Sequence, residues 1–321
     1  MVASIGRLSG KRLGAYLVEE KLGKGGMGEV FRALDTRTGH RVALKVLGEE
    51  RATNPALMAR FEREWSVLRD VCHPHVVTLL DWPHEGTDPP YFAMELLTGQ
   101  TLEGALADGR TLELELFYEV MGQLADGLGA VHRSGIVHRD VKPENVFLCD
   151  GPRPTAKLLD FGLAHVERSQ ITGSGLLVGT PSYVAPEQIT GDAIDARADI
   201  YALGLVMFLA LTGHHPFASD DQVVTLGHQL LSPPPPPSWL REEITPALEA
   251  LVLRMLRKKP EDRPASMREV SMTLRLLARG DLDDELEGGR PSNPPDDRYG
   301  PLNPLAESLV KKTLARKGFR G

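Results

Sequence analysis

Two short runs carry most of the chemistry in this chain: residues 136–148, IVHRDVKPENVFL, and residues 158–164, LLDFGLA. Asp140 can accept a proton from an incoming hydroxyl, and Lys142, two residues on, can bring positive charge to a transferring phosphate. Asn145 and Asp160 are oxygen ligands of the kind Mg²⁺ takes when substrate phosphates fill the rest of its shell. An aimed nucleophile, oxygens for metal ions and a cation over the equatorial oxygens are what phosphoryl transfer asks of a protein, which does little covalent chemistry of its own.

A glycine loop near the start fits the same chemistry. Leu22 precedes GKGGMGEV, in which Gly23, Gly25, Gly26, Gly28 and Val30 match G-x-G-x-x-G-x-V. Glycines let backbone N–H groups approach phosphate oxygens with no Cβ in the way. The same string opens dinucleotide sites, but those need a helix straight after the glycines. A Walker loop would end in Gly-Lys-Ser/Thr, whereas Gly28 is followed by Glu29 and Val30. EVFRALD, a turn and RVALKVL follow instead, which is a hairpin, so the loop joins two strands and lies over phosphates as a lid.

The second strand of that hairpin holds Lys45. With a period of two, Ala43 and Lys45 share one face while Val42, Leu44 and Val46 take the other. A strand lysine is ordinarily a solvated side chain, but the helix downstream argues otherwise. At helical spacing Leu57, Phe61 and Leu68 form one stripe, Glu64 falls inside it, and Glu62 turns toward solvent. A carboxylate on an apolar stripe is costly unless paired, and Lys45 is the partner at hand. The alternative is a Glu64 at a wet margin of the stripe.

These residues need elements to position them. Strands are expected at 15–22, 29–34, 41–47, 76–82 and 91–97, with a helix over 55–69 after the third. Beyond Gly99 the pattern turns helical, near 112–133, 198–211, 246–258 and 266–279. Pro233–Pro237 can be neither helix nor central strand and reads as a stiff surface connector, with polyproline recognition by a partner as the alternative. Residues 281–300 are acidic and rich in Pro and Gly, and the end turns basic around Leu305, Leu309 and Leu314.

HRDVKPEN, DFG, VALK, GKGGMGEV and GTPSYVAPE stand in the order and approximate spacing of protein kinases, and the resemblance covers about residues 13–279. It implies an α+β, two-lobed protein kinase fold: a small lobe (13–97) with a five-stranded antiparallel sheet and one helix, and a larger, mainly helical lobe (98–279). Residues 1–12 are then an extension and 280–321 a tail expected to be disordered. Asp140 resembles the catalytic base, Asn145 the ligand of a second Mg²⁺, and Asp160 the ligand bridging metal to phosphates, with Mn²⁺ as an alternative ion. Phe161 would pack toward the helix of Glu64. Leu22, Gly23, Gly25, Gly26, Gly28, Val30, Ala43, Lys45, Met94, Glu95, Leu97 and Phe147 are implied to bind ATP, with Met94 as gatekeeper and Glu95 to Leu97 as hinge. Glu187 is implied to pair with Arg263, and Asp199 to anchor the catalytic loop.

Lys142 within HRDVKPEN, and Thr180 in GTPSYVAPE, whose hydroxyl would bridge Asp140 and Lys142, resemble serine/threonine kinases. GGMGEV and ALTGHHPF resemble the bacterial branch. The expected partners are proteins with Ser or Thr acceptors, together with a second copy of the chain as a homodimer for phosphorylation in trans at Thr172 or Ser174. A nucleotide-binding scaffold without transferase activity is the competing expectation, against which Lys45, Asp140, Asn145 and Asp160 are all intact.

Composition agrees with a globular enzyme. The 321 residues are 41% hydrophobic and 25% charged, and the net charge of −7 gives no overall footprint for nucleic acid. The two cysteines, Cys72 and Cys149, have neither a disulfide framework nor a metal spacing. No apolar run reaches the roughly 20 residues of a membrane span, so a cytoplasmic chain without a membrane segment is expected.

Overall fold

A computed structural model describes residues 8–24, 28–48, 53–82, 89–160 and 181–282, and within them the chain divides into two compact units, Met1–Gly99 and Gln100–Gly321.

In the N-terminal unit a six-stranded sheet runs in the order β1-β2-β3-β4-β6-β5, with antiparallel neighbours. The strands are β1 Arg12–Leu13, β2 Tyr16–Lys24, β3 Glu29–Asp35, β4 Arg41–Val46, β5 Leu79–Asp81 and β6 Tyr91–Glu95; helix α1 is Pro55–Asp70. The sheet therefore has one strand more than the five expected. Its two-residue β1 is too short to show alternation, and it begins within the stretch read as an extension. β5 is shorter than the pattern at 76–82, because Val76 and Val77 are both buried with no alternation to mark where pairing starts.

The sheet sorts its side chains by face. Val18, Phe31, Ala33, Val42, Leu44, Val46 and Ala93 form one continuous core on one side. Register places Val30 opposite Lys45, and Ala43 opposite Met94, on the other side. There α1 lays Phe61 against Phe92, ring centroids 5.1 Å apart. Fully burying one such side chain stabilises by about 1.5–3 kcal/mol.

The C-terminal unit is built on helices α2 Leu102–Ala105, α3 Leu114–Arg133, α4 Pro186–Thr190, α5 Arg197–Thr212, α6 Gln222–Leu231, α7 Pro246–Met255 and α8 Met267–Arg279. It also carries a small sheet, β7-β8-β9, from Gly99–Thr101, Val146–Cys149 and Thr155–Leu158, that the helical pattern hid. Every residue from Ala198 to Phe208 is buried, as expected of a helix apolar on all sides. Gly204 makes that possible: a Cβ there would sit 3.0 Å from the Met255 Cβ. α8 is fastened to α3 through Asp126, which accepts from the Ser271 hydroxyl at 2.6 Å and pairs with Arg275. The proline run stays at the surface through Pro236 and is anchored at its end. Pro237 is buried and opens a 3₁₀ turn to Trp239, and the Ser238 N–H donates to Glu249 at 2.9 Å.

Candidate active site

In the N-terminal unit Lys45 and Glu64 meet in the interior. Lys45 is 3% exposed and Glu64 1% exposed, and Nζ donates to Oε1 at 2.5 Å. Nζ also lies 5.8 Å from the centre of the Phe92 ring. A buried ion pair is held against a desolvation cost of several kcal/mol per ion, so its presence signals a task for the ammonium other than stability. On the same face Val30 and Met94 remain half-buried while Ala43 is buried, leaving a low apolar platform beside the cation.

The strands flanking the glycine loop are fixed. Gly23 pairs with Val30 across β2 and β3. A Cβ on Gly28 would lie 2.3 Å from the Val46 carbonyl oxygen, so only glycine lets the loop return this close to β4. Lys21 donates to Glu29 at 2.6 Å at the foot of the loop. Leu22 is 47% exposed at its edge. Glu95 is tied to Thr78 twice: its carboxylate accepts the Thr78 N–H at 2.8 Å, and its own N–H donates to the Thr78 carbonyl at 3.0 Å. Leu97 follows, half-buried. Gly25 and Gly26 lie outside the described residues.

In the C-terminal unit the run 138–145 is shaped from below by Asp199. This carboxylate is fully buried in the first turn of α5. Its Oδ2 accepts the His138 N–H at 2.8 Å and the His132 Nε2–H at 2.7 Å, and its Oδ1 accepts the Arg139 N–H at 2.7 Å. Arg139 has φ of +67°, a left-handed conformation that costs a non-glycine residue about 1–3 kcal/mol, and the charge-assisted bonds from Asp199 offset it. His138 is buried, and burial lowers its pKa against the opposing charges of Asp199, Asp140 and Asp160, so the ring is neutral. Its Nδ1 accepts the Asp140 N–H at 3.3 Å.

The turn thus aims Asp140. Asn145 closes it by donating Nδ2 to the Asp140 carbonyl at 2.8 Å and to Oδ2 at 2.9 Å, and Lys142 Nζ lies 3.0 Å from the same Oδ2. With its nitrogen engaged there, the amide oxygen is the atom Asn145 would give to a metal. Asp160 comes to the same end of the β8–β9 hairpin, since the Leu159 N–H donates to the Asn145 carbonyl at 2.9 Å. One amide oxygen and one carboxylate are hard ligands that fit a Mg²⁺ ion bringing phosphate oxygens with it. Among the described residues no three His, Cys, Asp or Glu side chains form a metal cluster. Phe147 is half-buried on β8.

Glu187, in α4, takes Arg263 in a fork, 2.7 Å to Oε1 and 2.8 Å to Oε2. The guanidinium donates further to the carbonyls of Arg197, Arg257 and Lys258 and lies 4.9 Å from the Tyr201 ring centre. Sequence spacing does not reveal His132 or Gln188, whose Nε2 donates to the Arg139 carbonyl at 3.3 Å. Both act from other elements, and no local pattern marks them. Phe161, Thr172, Ser174 and Thr180 lie outside the described residues.

The protein kinase domain model matches residues 16–273. The serine/threonine-protein kinase Pkn1 of Myxococcus xanthus is 41% identical over 265 residues, covering 81% of this chain and 38% of that protein. PknB of Mycobacterium leprae is 35% identical over 264 residues, covering 81% of this chain and 42% of that protein. The chain thus spans less than half the length of these curated relatives. The crystal structure of the Mycobacterium tuberculosis PknI kinase domain superposes with a TM-score of 0.65 at 29% identity, over 83% of this chain and 98% of that one. A buried lysine–glutamate pair, an Asp140 turn hung on a buried aspartate and a match along most of the sequence lead to one conclusion: the chain belongs to the protein kinase domain family, among the bacterial serine/threonine kinases.

Proposed function

We propose that the chain transfers the γ-phosphate of ATP to Ser and Thr hydroxyls of proteins, in bacterial signal transduction. The observation that carries this reading is the state of Asp140: one carboxylate oxygen is gripped by Lys142 and Asn145, on a turn that a buried carboxylate holds in a strained conformation. Such preorganisation suits a group that must meet one proton in one direction.

In this reading Asp140 orients the acceptor hydroxyl and takes its proton, while Lys142 lends positive charge to the phosphoryl group in transit. Lys45, aimed by Glu64, grips phosphate oxygens, and the strands flanking Gly23 and Gly28 present backbone N–H groups to them. Val30, Ala43, Met94 and Phe147 are assigned to the adenine, with Glu95 to Leu97 as the hinge and Leu22 at its rim. Asn145 and Asp160 would hold the metal, Mg²⁺ or Mn²⁺, which when bound neutralises charge on the phosphates. Glu187, Asp199 and Arg263 are structural supports. Thr180 is assigned to the acceptor side of the turn.

Regulation by phosphorylation at Thr172 or Ser174, in trans between two copies, belongs to the same proposal. It is supported by Arg139, whose buried Nε makes no hydrogen bond among the described residues. A phosphate carrying nearly two negative charges would satisfy that guanidinium. No described helix is long and apolar enough to cross a membrane; the chain is proposed to work in the cytoplasm, on proteins with Ser or Thr acceptors and not on nucleic acid.

Radiolabel transfer from MgATP to the chain itself and to a generic basic protein tests the activity. Asp140→Asn is expected to reduce transfer by a factor of roughly 10² or more with nucleotide binding intact. Equal transfer by the variant, or none by the parent chain, refutes the proposal, and the latter would favour a scaffold. Phosphopeptide mapping after incubation should place label on Thr172 or Ser174; a fully active chain bare at both excludes that part.

A further inference from the structure

The Pro181–Tyr183 turn is held by side chains that the transfer chemistry does not use. The Ser182 carbonyl oxygen takes two N–H donors at once: Nε2 of His215 at 2.8 Å and the side-chain amide of Gln229, which is fully buried on α6. The histidine tautomer is fixed, because Nδ1 accepts the Phe217 N–H at 3.1 Å and the proton is left on Nε2. The ring meets Tyr183 edge-on, centroids 5.3 Å apart, and burial pulls its pKa down to about 4, so it is a neutral donor. Gln229 is seated in turn. The Tyr201 hydroxyl donates to its backbone carbonyl at 3.4 Å. Lys258 Nζ, 4.1 Å from the Phe217 ring centre, donates to the preceding carbonyl of His228 at 3.1 Å.

The same segment faces the catalytic turn on its other side. Gln188 bridges it to the Arg139 carbonyl at 3.3 Å, one residue before Asp140, while its Oε1 accepts the Ala185 N–H at 3.0 Å. The Tyr183 hydroxyl is pushed up by burial and then by the charges of Glu144 and Glu103, which places the ring within electrostatic reach of the residues around Asp140. Through Gln188 the segment that carries this turn is fixed to the residue before Asp140. A carbonyl with two side-chain donors, the Gln229 amide fully buried, cannot rotate without stranding both, so the turn has one orientation.

We infer that His215 and Gln229 are positioning residues that hold the Ser182–Tyr183 turn as one wall of the acceptor-peptide site, and so set affinity for the protein acceptor without touching it. The inference rests on the reading of the chain as a protein kinase. A purely structural role would lower stability and spare the balance between KM values. A positioning role loosens one segment and weakens one substrate.

The full chain is tested as His215→Ala, His215→Gln and Gln229→Leu, the last isosteric and without the amide donor. Steady-state kinetics use the best Ser/Thr peptide from a randomised peptide library, and hydrogen exchange is followed by mass spectrometry. His215→Ala and Gln229→Leu should raise KM for the peptide roughly tenfold, the effect of about one lost hydrogen bond. The KM for ATP and kcat should stay within about twofold of the parent chain. Exchange should quicken over 181–190, and His215→Gln, which keeps a side-chain N–H, should recover much of the affinity. Unchanged exchange over 181–190 in both donor-free variants overturns the clamp whether or not the chain is active. Faster exchange with unchanged peptide KM, or with both KM values and kcat worsening together, overturns its role in acceptor affinity. A parent chain that phosphorylates no peptide while the variants still loosen 181–190 refutes the kinase reading and the acceptor role, and leaves the clamp standing as architecture.

Discussion

Lys45 and Glu64 are so nearly closed to water that neither tolerates losing the other. Glu64→Leu alone leaves an ammonium without its carboxylate in the interior and should cost about 3–5 kcal/mol in urea unfolding. The double variant Lys45→Met/Glu64→Leu replaces both charges with apolar groups and should regain most of that stability. Its phosphotransfer should remain at least about a hundredfold down, since the cation is gone. A double variant as unstable as the single one would show that the pair contributes net stability. Arg139 offers a second test at this scale. Arg139→Gly relieves the positive φ, so thermal stability should hold or rise slightly, yet the response to loop phosphorylation should vanish with the guanidinium. Kinetics before and after incubation with MgATP would read that response.

Strand pairing and helix termini decide where these groups point. Gly28 sits where the returning loop touches the Val46 carbonyl, so Gly28→Ala must push β3 from β4. A rise of about tenfold in KM for ATP is expected, with kcat for the bound complex far less affected. An unaltered KM would mean that the flanking strands do not set the loop's height. At this scale the sequence is legible in proportion to how local the signal is. The alternation of RVALKVL assigns faces correctly, and the stripe of Phe61 and Leu68 places Glu64 inward, because period two and period 3.6 follow from a single strand or helix. β1 and the β7–β9 sheet have too few residues to carry a period. The catalytic run is a motif with fixed internal spacing, so Asp140, Lys142 and Asn145 declare themselves. His132, Gln188, His215 and Gln229 do not, since each meets its partner from an element at least 33 residues away in the chain or from a helix face that looks like ordinary core.

For the whole molecule, acid is the revealing variable. His138, His215 and His228 in the C-terminal unit all have pKa values lowered chiefly by burial, His215 to about 4. Each is neutral when folded and binds a proton more readily when unfolded, so the unfolded state gains protons as the pH drops below the ordinary histidine value of about 6.5. Stability is therefore full above about pH 6.5 and is lost progressively toward pH 4. His215 alone should account for about 1–3 kcal/mol of the loss, which His215→Gln should remove from the pH dependence. Chemical denaturation from pH 7.5 to 4.5 measures both slopes, and identical slopes for the two chains would assign the acid sensitivity to the other histidines.

The catalytic turn hangs from Asp199, and Asp199 heads a helix that is enclosed from Ala198 to Phe208. Among the described residues that anchor lies in the interior and not at the surface, so the turn it holds melts with the core. Heat inactivation and the loss of near-UV ellipticity should then trace a single curve, and an inhibitor seeking to melt the reaction centre selectively would have to dismantle the hydrophobic interior along with it.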